Sequence, residues 1–91
     1  MEKKNVTIQT NTSKKGRLDQ RSFPCQFYEE KGLRIYVLDD TKRDLAHKRF
    51  NLTAGCRIID DGITYFIVDV KYSPAPKHPY IIVDPKITIF Q

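Results

Sequence analysis

The side chains with the most potential for chemistry in this chain are two histidines, two cysteines and two pairs of adjacent aspartates. Nucleophilic catalysis needs a nucleophile with a base within reach. His47 lies in a charged stretch and His78 lies between Lys77 and Pro79, so we interpret both as surface residues.

The aspartate pairs have the spacing of local structure. Asp39-Asp40 is typical of a helix cap and Asp60-Asp61 of a turn, and neither has the spacing of a calcium loop. Turn aspartates in water lack the contrasting environments that separate the pKa values of a catalytic pair. Since the sequence also has no glycine-rich phosphate loop, we expect no enzymatic activity, no metal site and no cofactor.

The two cysteines, Cys25 and Cys56, are far apart and have no metal-ligand spacing. Each lies in an apolar or β-rich stretch, which predicts two reduced thiols in the core. A disulfide is the alternative, because sequence alone does not place the two Cα atoms.

Length and composition indicate one globular domain, residues 1–91, with an N-terminal arm over 1–5 and a proline-rich loop over 73–79. The chain is 40% apolar and 30% charged, enough for one modest core. It has no run of about 18 apolar residues, and so no predicted membrane span. Its N-terminus shows no secretory signal.

The net charge of +5 is concentrated in the first two thirds of the chain. Residues 1–22 and 31–57 are basic, whereas residues 58–91 are slightly acidic. This asymmetry favours a polyanionic neighbour or an acidic protein face, with a solvated surface as the alternative. The candidates to face such a partner are Lys14, Lys15, Arg17, Arg21, Lys42, Arg43, Lys48 and Arg49.

Alternating apolar residues predict strands at 5–9, 22–28, 33–38, 56–59, 63–70, 80–83 and 87–90. Pro24 places the second strand at a sheet edge or at its own start, because proline donates no ladder hydrogen bond. Asp84-Pro85 separates the last two strands. Glu29 to Gly32 predicts a turn between the second and third strands.

The strongest local signal is a hairpin over residues 56–72, because Asp61-Gly62 between two β-rich runs favours a tight turn. Both faces of its second arm are apolar, which indicates a strand that is central or covered on both sides. One face carries Ile63, Tyr65 and Ile67, and the other carries Phe66, Val68 and Val70.

One short helix is predicted over residues 41–50, with Asp40 or Thr41 as its cap and a narrow apolar stripe that includes Leu45 and Phe50. We therefore expect a mainly β fold: a small antiparallel β-barrel or sandwich of six to seven short strands with one short helix.

Residues 53–70 resemble the C-terminal half of tailed-bacteriophage head–tail joining proteins, the head-closure or stopper adaptors. The pattern is a strand with Arg-Ile, a turn with Gly, and then Tyr-x-Ile-x-x-Val. The residues that match it are Arg57, Ile58, Gly62, Tyr65, Ile67 and Val70. The N-terminal order of strand, polar Gly-containing segment (10–16) and strand (23–28) is also similar.

The resemblance implies a small β-barrel without catalysis that forms a ring with neighbouring copies, links the portal and its adaptor to the tail, and closes the channel on packaged double-stranded DNA. It implies a place in the virion, after assembly in the host bacterial cytoplasm, and DNA contacts that involve the backbone only. A tail-side ring protein is a related option. The candidate interface loop contains Pro74, Pro76, Lys77, His78 and Pro79.

Two other functions stay open. Basic and aromatic residues alternate at Arg34 and Tyr36 and at Lys71 and Tyr72, as in a nucleic-acid-binding β-barrel of the OB type that stacks bases on aromatic rings. The other option is a small inhibitor or regulatory protein that covers the surface of another protein.

Overall fold

The computed structural model describes residues 2–10, 19–39, 52, 54–72 and 79–89. These residues form six antiparallel strands in a closed barrel with the order β1-β2-β3-β6-β5-β4. The strands are β1 (Glu2–Thr10), β2 (Asp19–Glu30), β3 (Leu33–Leu38), β4 (Arg57–Asp60), β5 (Ile63–Tyr72) and β6 (Pro79–Ile89). The predicted mainly β fold is confirmed, and it is a barrel. The predicted helix over 41–50 lies outside the described residues.

The barrel consists of two three-stranded meanders, β1 to β3 and β4 to β6. It closes because β4 pairs with β1 and β6 pairs with β3. Closure gives each strand two neighbours, which removes the exposed sheet edges that invite aggregation.

The core fills the barrel interior with the apolar side chains of alternate strand positions. Aromatic and β-branched residues suit such pleated, half-buried surfaces. The buried apolar cluster contains Val6, Ile8, Phe23, Cys25, Phe27, Tyr36, Leu38, Leu52, Cys56, Ile58, Tyr65, Ile67, Ile81 and Val83.

Two tight turns have the same backbone conformation. Lys31 and Gly32 have φ angles of 52° and 79°, and Asp61 and Gly62 have 51° and 79°. Positive φ at both central residues is typical of the type I′ turn, whose twist matches that of a hairpin. Both turns were expected from the sequence, but Asp60 is not a turn residue: it ends β4 and pairs with Ile63.

The prediction of an N-terminal arm over residues 1–5 is wrong for residues 2–5, because β1 begins at Glu2. Lys3 pairs with Gln26 and Lys4 with Cys25 in the β1–β2 ladder. Backbone hydrogen bonds to β2 extend β1 through the polar residues at its start. The alternation of apolar residues does not predict this part of the strand.

The prediction that Pro24 marks a sheet edge or a strand start is also wrong. β2 begins at Asp19 and lies between β1 and β3. Pro24 comes just beyond the last β2–β3 pair, Cys25 with Leu38, and its carbonyl accepts the Asp39 N–H at 2.9 Å. The missing N–H therefore falls where the ladder ends.

Residues 80–83 and 87–90 are not two strands, since β6 runs without interruption from Pro79 to Ile89. Its pairing with β3 ends at Val83. Immediately afterwards the Asp84 carboxylate accepts the Lys86 N–H at 3.0 Å. This local bond lets the strand pass Pro85 and rejoin the ladder with β5.

The second arm of the hairpin is irregular. Register shifts between Tyr65 and Ile67 and between Ile67 and Asp69 alter the alternation of β5. As a result Val70 packs against the core, whereas Val68 is 39% exposed. Of the two expected alternatives, the central position is confirmed, since β5 lies between β6 and β4, whereas coverage on both faces is not found.

The two ends of the barrel differ in their connections. The strand ends that flank residues 11–18, 40–51 and 73–78 lie together at one end, which we call the connection end. The opposite end has the two tight turns and the start of β1, and we call it the hairpin end.

Replacing Gly62 by Ala should lower the free energy of unfolding by about 1 kcal/mol, because an L-residue is strained at this positive φ. Nothing lies within 4 Å of the position that the new Cβ would take, so the loss reflects backbone strain and not a clash. Denaturant unfolding measures it. Gly62→Asn is the control and should lose less, because Asn tolerates this conformation. Equal losses would rule out the turn conformation as the cause.

Candidate functional site

The eight basic candidates divide between the described residues and the segments outside them. Arg21 lies in β2, opposite Ile8, on the inward face of the strand, and is partly exposed. Lys14, Lys15, Arg17, Lys42, Arg43, Lys48 and Arg49 lie outside the described residues. All seven belong to segments whose flanking strand ends lie at the connection end.

The charge of the chain is segregated in the same way. Residues 11–18, 40–51 and 73–78 together contain eight of the 16 Lys and Arg residues but only two of the 11 Asp and Glu residues. The rest of the chain therefore has eight basic and nine acidic residues. The net charge of +5 thus originates in segments that start and finish at the connection end.

Of the interface-loop candidates, Pro74, Pro76, Lys77 and His78 lie outside the described residues. Pro79 is the first residue of β6, pairs with Tyr72, and is buried. A proline at the first position of a strand is tolerated. Because it is buried, Pro79 is not an exposed loop contact, and this part of the prediction is wrong.

The hairpin motif residues build the barrel. Ile58, Tyr65 and Ile67 are in the core, Gly62 forms the turn and Val70 packs on the core. Arg57 lies on the outer surface, where its Nε donates to Gln9 Oε1 at 3.2 Å. Each of these motif residues therefore has a structural role in the barrel.

Both cysteines are buried free thiols, as expected. Burial, together with the nearby charges of Asp60 and Asp39, raises the pKa of the Cys25 thiol to about 11. The thiolate is the reactive form of cysteine. Cys25 is therefore protonated at neutral pH and is an inert core residue.

A buried ionic cluster at the hairpin end is absent from the sequence predictions. It consists of Lys4, Arg34, Tyr36 and Asp60, and its centre is the Asp60 carboxylate, which is 3% exposed. That carboxylate accepts hydrogen bonds from Tyr36 Oη at 2.7 Å, from Arg34 at 2.9 Å and from Lys4 Nζ at 3.0 and 3.1 Å. Arg34 Nε also donates to Tyr36 Oη at 2.9 Å.

Aromatic rings enclose the Arg34 guanidinium. Its Cζ lies 4.3 Å from the centroid of Phe27, 5.0 Å from that of Tyr65 and 5.6 Å from that of Tyr36. Lys4 Nζ lies 5.0 Å from the Phe27 centroid. Attraction between the cations and the ring faces compensates part of their lost hydration.

The cluster fixes the charge states of its members. Burial alone would raise the pKa of Asp60, but the hydrogen bonds from Tyr36 and Lys4 and the charge of Lys4 outweigh it and lower that pKa. Burial and the bond to Asp60 raise the pKa of Tyr36. A carboxylate with a lowered pKa and three donors is a poor general base, so the cluster is structural.

Tyr36 is therefore not available for base stacking. It is fully buried and hydrogen-bonded to Asp60 and Arg34, which corrects the interpretation of Arg34 and Tyr36 as a surface pair. The signal that could have found the cluster is strand parity. Lys4, Arg34 and Asp60 each lie two positions from a core residue, namely Val6, Tyr36 and Ile58.

The described part of the chain lacks two further kinds of feature. Within it, no three His, Cys, Asp or Glu side chains are grouped so that they could hold a metal ion. No helix within these residues is long and apolar enough to span a membrane.

No family model, curated protein or solved structure matches this chain. Its function must therefore be inferred from its own residues.

Asp60→Asn should lower the free energy of unfolding by about 3 kcal/mol, because it leaves the charges of Lys4 and Arg34 without their buried partner. Asp61→Asn is the matched control. It removes the same charge from the next residue, which also contacts Lys4 but has a side chain that is 85% exposed, and it should cost far less. Denaturant unfolding at pH 7 compares the two variants. Equal losses would show that Asp60 has no central role.

The contribution of Asp60 should disappear in acid. Its pKa is lower in the folded state than the ordinary value of 3.8, so the stabilisation is present above that value and is lost as the pH falls through the folded-state pKa. The stability difference between the wild type and Asp60→Asn should therefore be constant between about pH 5 and about pH 8. It should shrink below about pH 4. Unfolding curves measured over this pH range test it, and a gap that persists unchanged at the lowest pH would contradict it.

Proposed function

We propose that this chain is a non-enzymatic structural protein of a tailed phage particle. In this proposal it is a ring subunit at the head–tail junction that joins the portal and its adaptor to the tail. Three features support it: the small closed β-barrel, the resemblance of residues 53–70 to head-closure proteins, and the concentration of positive charge in segments whose flanking strand ends lie at one end.

The charge segregation is the observation that carries the proposal. A subunit that borders a channel filled with DNA needs basic groups on one side and a neutral, stable body elsewhere. In this chain the segments attached to the connection end have a net positive charge, while the remainder has almost none. Contacts from such segments to phosphates are electrostatic and independent of sequence.

The barrel itself supplies the stable body. Each strand is paired on both sides, and the hydrogen bonds of the buried ionic cluster connect opposite strands at the hairpin end.

A nucleic-acid-binding barrel outside a phage particle is the second candidate, since the same basic segments favour it. The OB-type architecture does not fit, because an OB-fold is a five-stranded, partly open barrel and this barrel has six strands in a closed order. With Tyr36 buried, this candidate depends on backbone contacts more than on stacking.

A tagged pull-down from the native source, washed at low and at high salt, tests the proposal. We expect portal and tail proteins to remain bound through the high-salt wash, because a particle interface does not depend on counterion release. Recovery of nucleic acid alone, lost at high salt, would refute the phage proposal in favour of the second candidate.

The DNA-facing end can be tested with purified protein and linear double-stranded DNA. The triple variant Lys14→Gln, Lys15→Gln, Arg17→Gln should bind more weakly and reduce the slope of log K against log salt by about 2 to 3. The matched control, Lys3→Gln, Lys31→Gln, Lys86→Gln, removes the same charge from exposed residues away from the connection end and should keep the wild-type slope. An equal effect of both variants would mean that only net charge matters.

A further inference from the structure

Two short seams join the N-terminal meander, β1 to β3, to the C-terminal meander, β4 to β6. The β1–β4 seam pairs only Thr7 to Gln9 with β4, and the β3–β6 seam pairs only Arg34 to Val37 with β6. The β1–β2 ladder, by contrast, covers the whole of β1. Backbone pairing therefore joins the two meanders over short stretches of strand.

Both seams stop before the hairpin end of the barrel. Towards this end, the last pair of the β1–β4 seam is Thr7 with Ile59, so residues 2–6 pair with β2 alone among the described strands. The last pair of the β3–β6 seam is Arg34 with Val83. Strand pairing within the described residues therefore does not join the two meanders beyond these points.

The buried ionic cluster lies where the seams stop, and it joins the two meanders through side chains. Asp60 belongs to the C-terminal meander, whereas its three donors all belong to the N-terminal meander: Lys4, Arg34 and Tyr36. The Arg34 guanidinium also lies 5.0 Å from the ring centroid of Tyr65, which belongs to the C-terminal meander. One carboxylate is thus the centre of the contact between the meanders at this end.

Loss of the Asp60 charge would act on the two cations in a definite direction. Lys4 and Arg34 would keep their charges without their buried partner, which is strongly unfavourable. Their side chains are 14% and 17% exposed, so both lie close to water. Hydration of the two cations requires them to move outwards, away from Asp60, and this movement separates the hairpin ends of the meanders.

The other titratable groups that face the cluster do not replace Asp60. Burial raises the pKa of Tyr36 and of the Cys25 thiol on β2, so both stay neutral in acid. Glu2 and Asp61 contact the Lys4 ammonium at 3.9 and 3.3 Å, but their side chains are 64% and 85% exposed. Exposed carboxylates stabilise such contacts only weakly.

We infer that Asp60 is a latch on the hairpin end of the barrel. As a carboxylate it holds the two meanders together there, and as a neutral group it lets them separate locally while the rest of the barrel stays folded. Such local opening is a general property of folded proteins. The open form would expose the interior rings of Phe27 and Tyr65, which are 8% and 7% exposed in the closed barrel. The latch is independent of the proposed place in a phage particle.

Hydrogen exchange of single amides in the full chain, measured by NMR at increasing urea below the unfolding transition, tests the latch. Amides that donate across the last pair of each seam should exchange through an opening that depends weakly on urea, because urea dependence scales with the surface exposed. Amides of the β1–β2 ladder around Val6 and Phe23 should exchange through global unfolding, with a strong dependence. Equal free energies of opening and equal urea dependence in both groups would overturn the inference.

The variant Asp60→Asn should accelerate exchange of the seam amides by about a hundredfold, because the latch is lost. Asp61→Asn removes an exposed charge that also contacts Lys4, and it should change their exchange by a few-fold at most. Seam amides that exchange at the wild-type rate in Asp60→Asn would refute the latch.

Acid gives the same test without a substitution, should Asp60→Asn fail to fold. The pKa of Asp60 is lowered in the closed barrel, so the latch holds above the ordinary value of 3.8 and is lost as the pH falls through the closed-state pKa. Between about pH 5 and about pH 3, the free energy of opening of the wild-type seam amides should therefore fall. A free energy of opening that stays constant over this range would contradict the latch.

Discussion

The Asp60 carboxylate is the interaction on which the interior of this barrel depends. It ends β4, yet two of its three donors, Arg34 and Tyr36, come from β3 on the opposite side of the barrel. The third donor, Lys4, comes from the neighbouring strand β1. A buried ion pair often stabilises no more than an apolar substitute of the same shape. What it adds here is register, because a slip of one residue would move Asp60 from the interior to the outer surface.

Closure of the sheet into a barrel determines where the tight turns and the ends of the longer segments lie. Two meanders of three strands, paired at both seams, leave the tight turns at one end and the strand ends that flank residues 11–18, 40–51 and 73–78 at the other. The two ends also differ in how their charges are arranged. Buried charges at the hairpin end are neutralised within a few ångströms, whereas the excess of positive charge belongs to the segments anchored at the connection end. The first arrangement serves stability, and the second is the basis of the proposed contact with a partner.

The sequence predicted the features that depend on neighbouring residues. Both tight turns followed from their glycines, and the inward positions of β2 followed from the alternation of Phe23, Cys25 and Phe27. It failed where pairing partners decide the outcome. Pro24 is tolerated in an inner strand because the ladder with β3 ends beside it, a fact that only the fold provides. The ionic cluster escaped notice for the same reason, since its members are distant in sequence and a charged residue is normally expected outside.

The apolar outer face of β3 and the basic connection end point in different directions, and this geometry has a consequence for assembly. The outward residues of β3, Leu33, Ile35 and Val37, lie on the side of the barrel, whereas the strand ends that flank residues 11–18, 40–51 and 73–78 lie at one end of it. In the proposed ring, copies related by rotation about a common axis would keep their connection ends on the same side of the ring. A few weak phosphate contacts per subunit would then act together, and multivalent binding can exceed the affinity of one subunit by orders of magnitude. In the proposed ring, the basic segments of many copies would together form a basic collar.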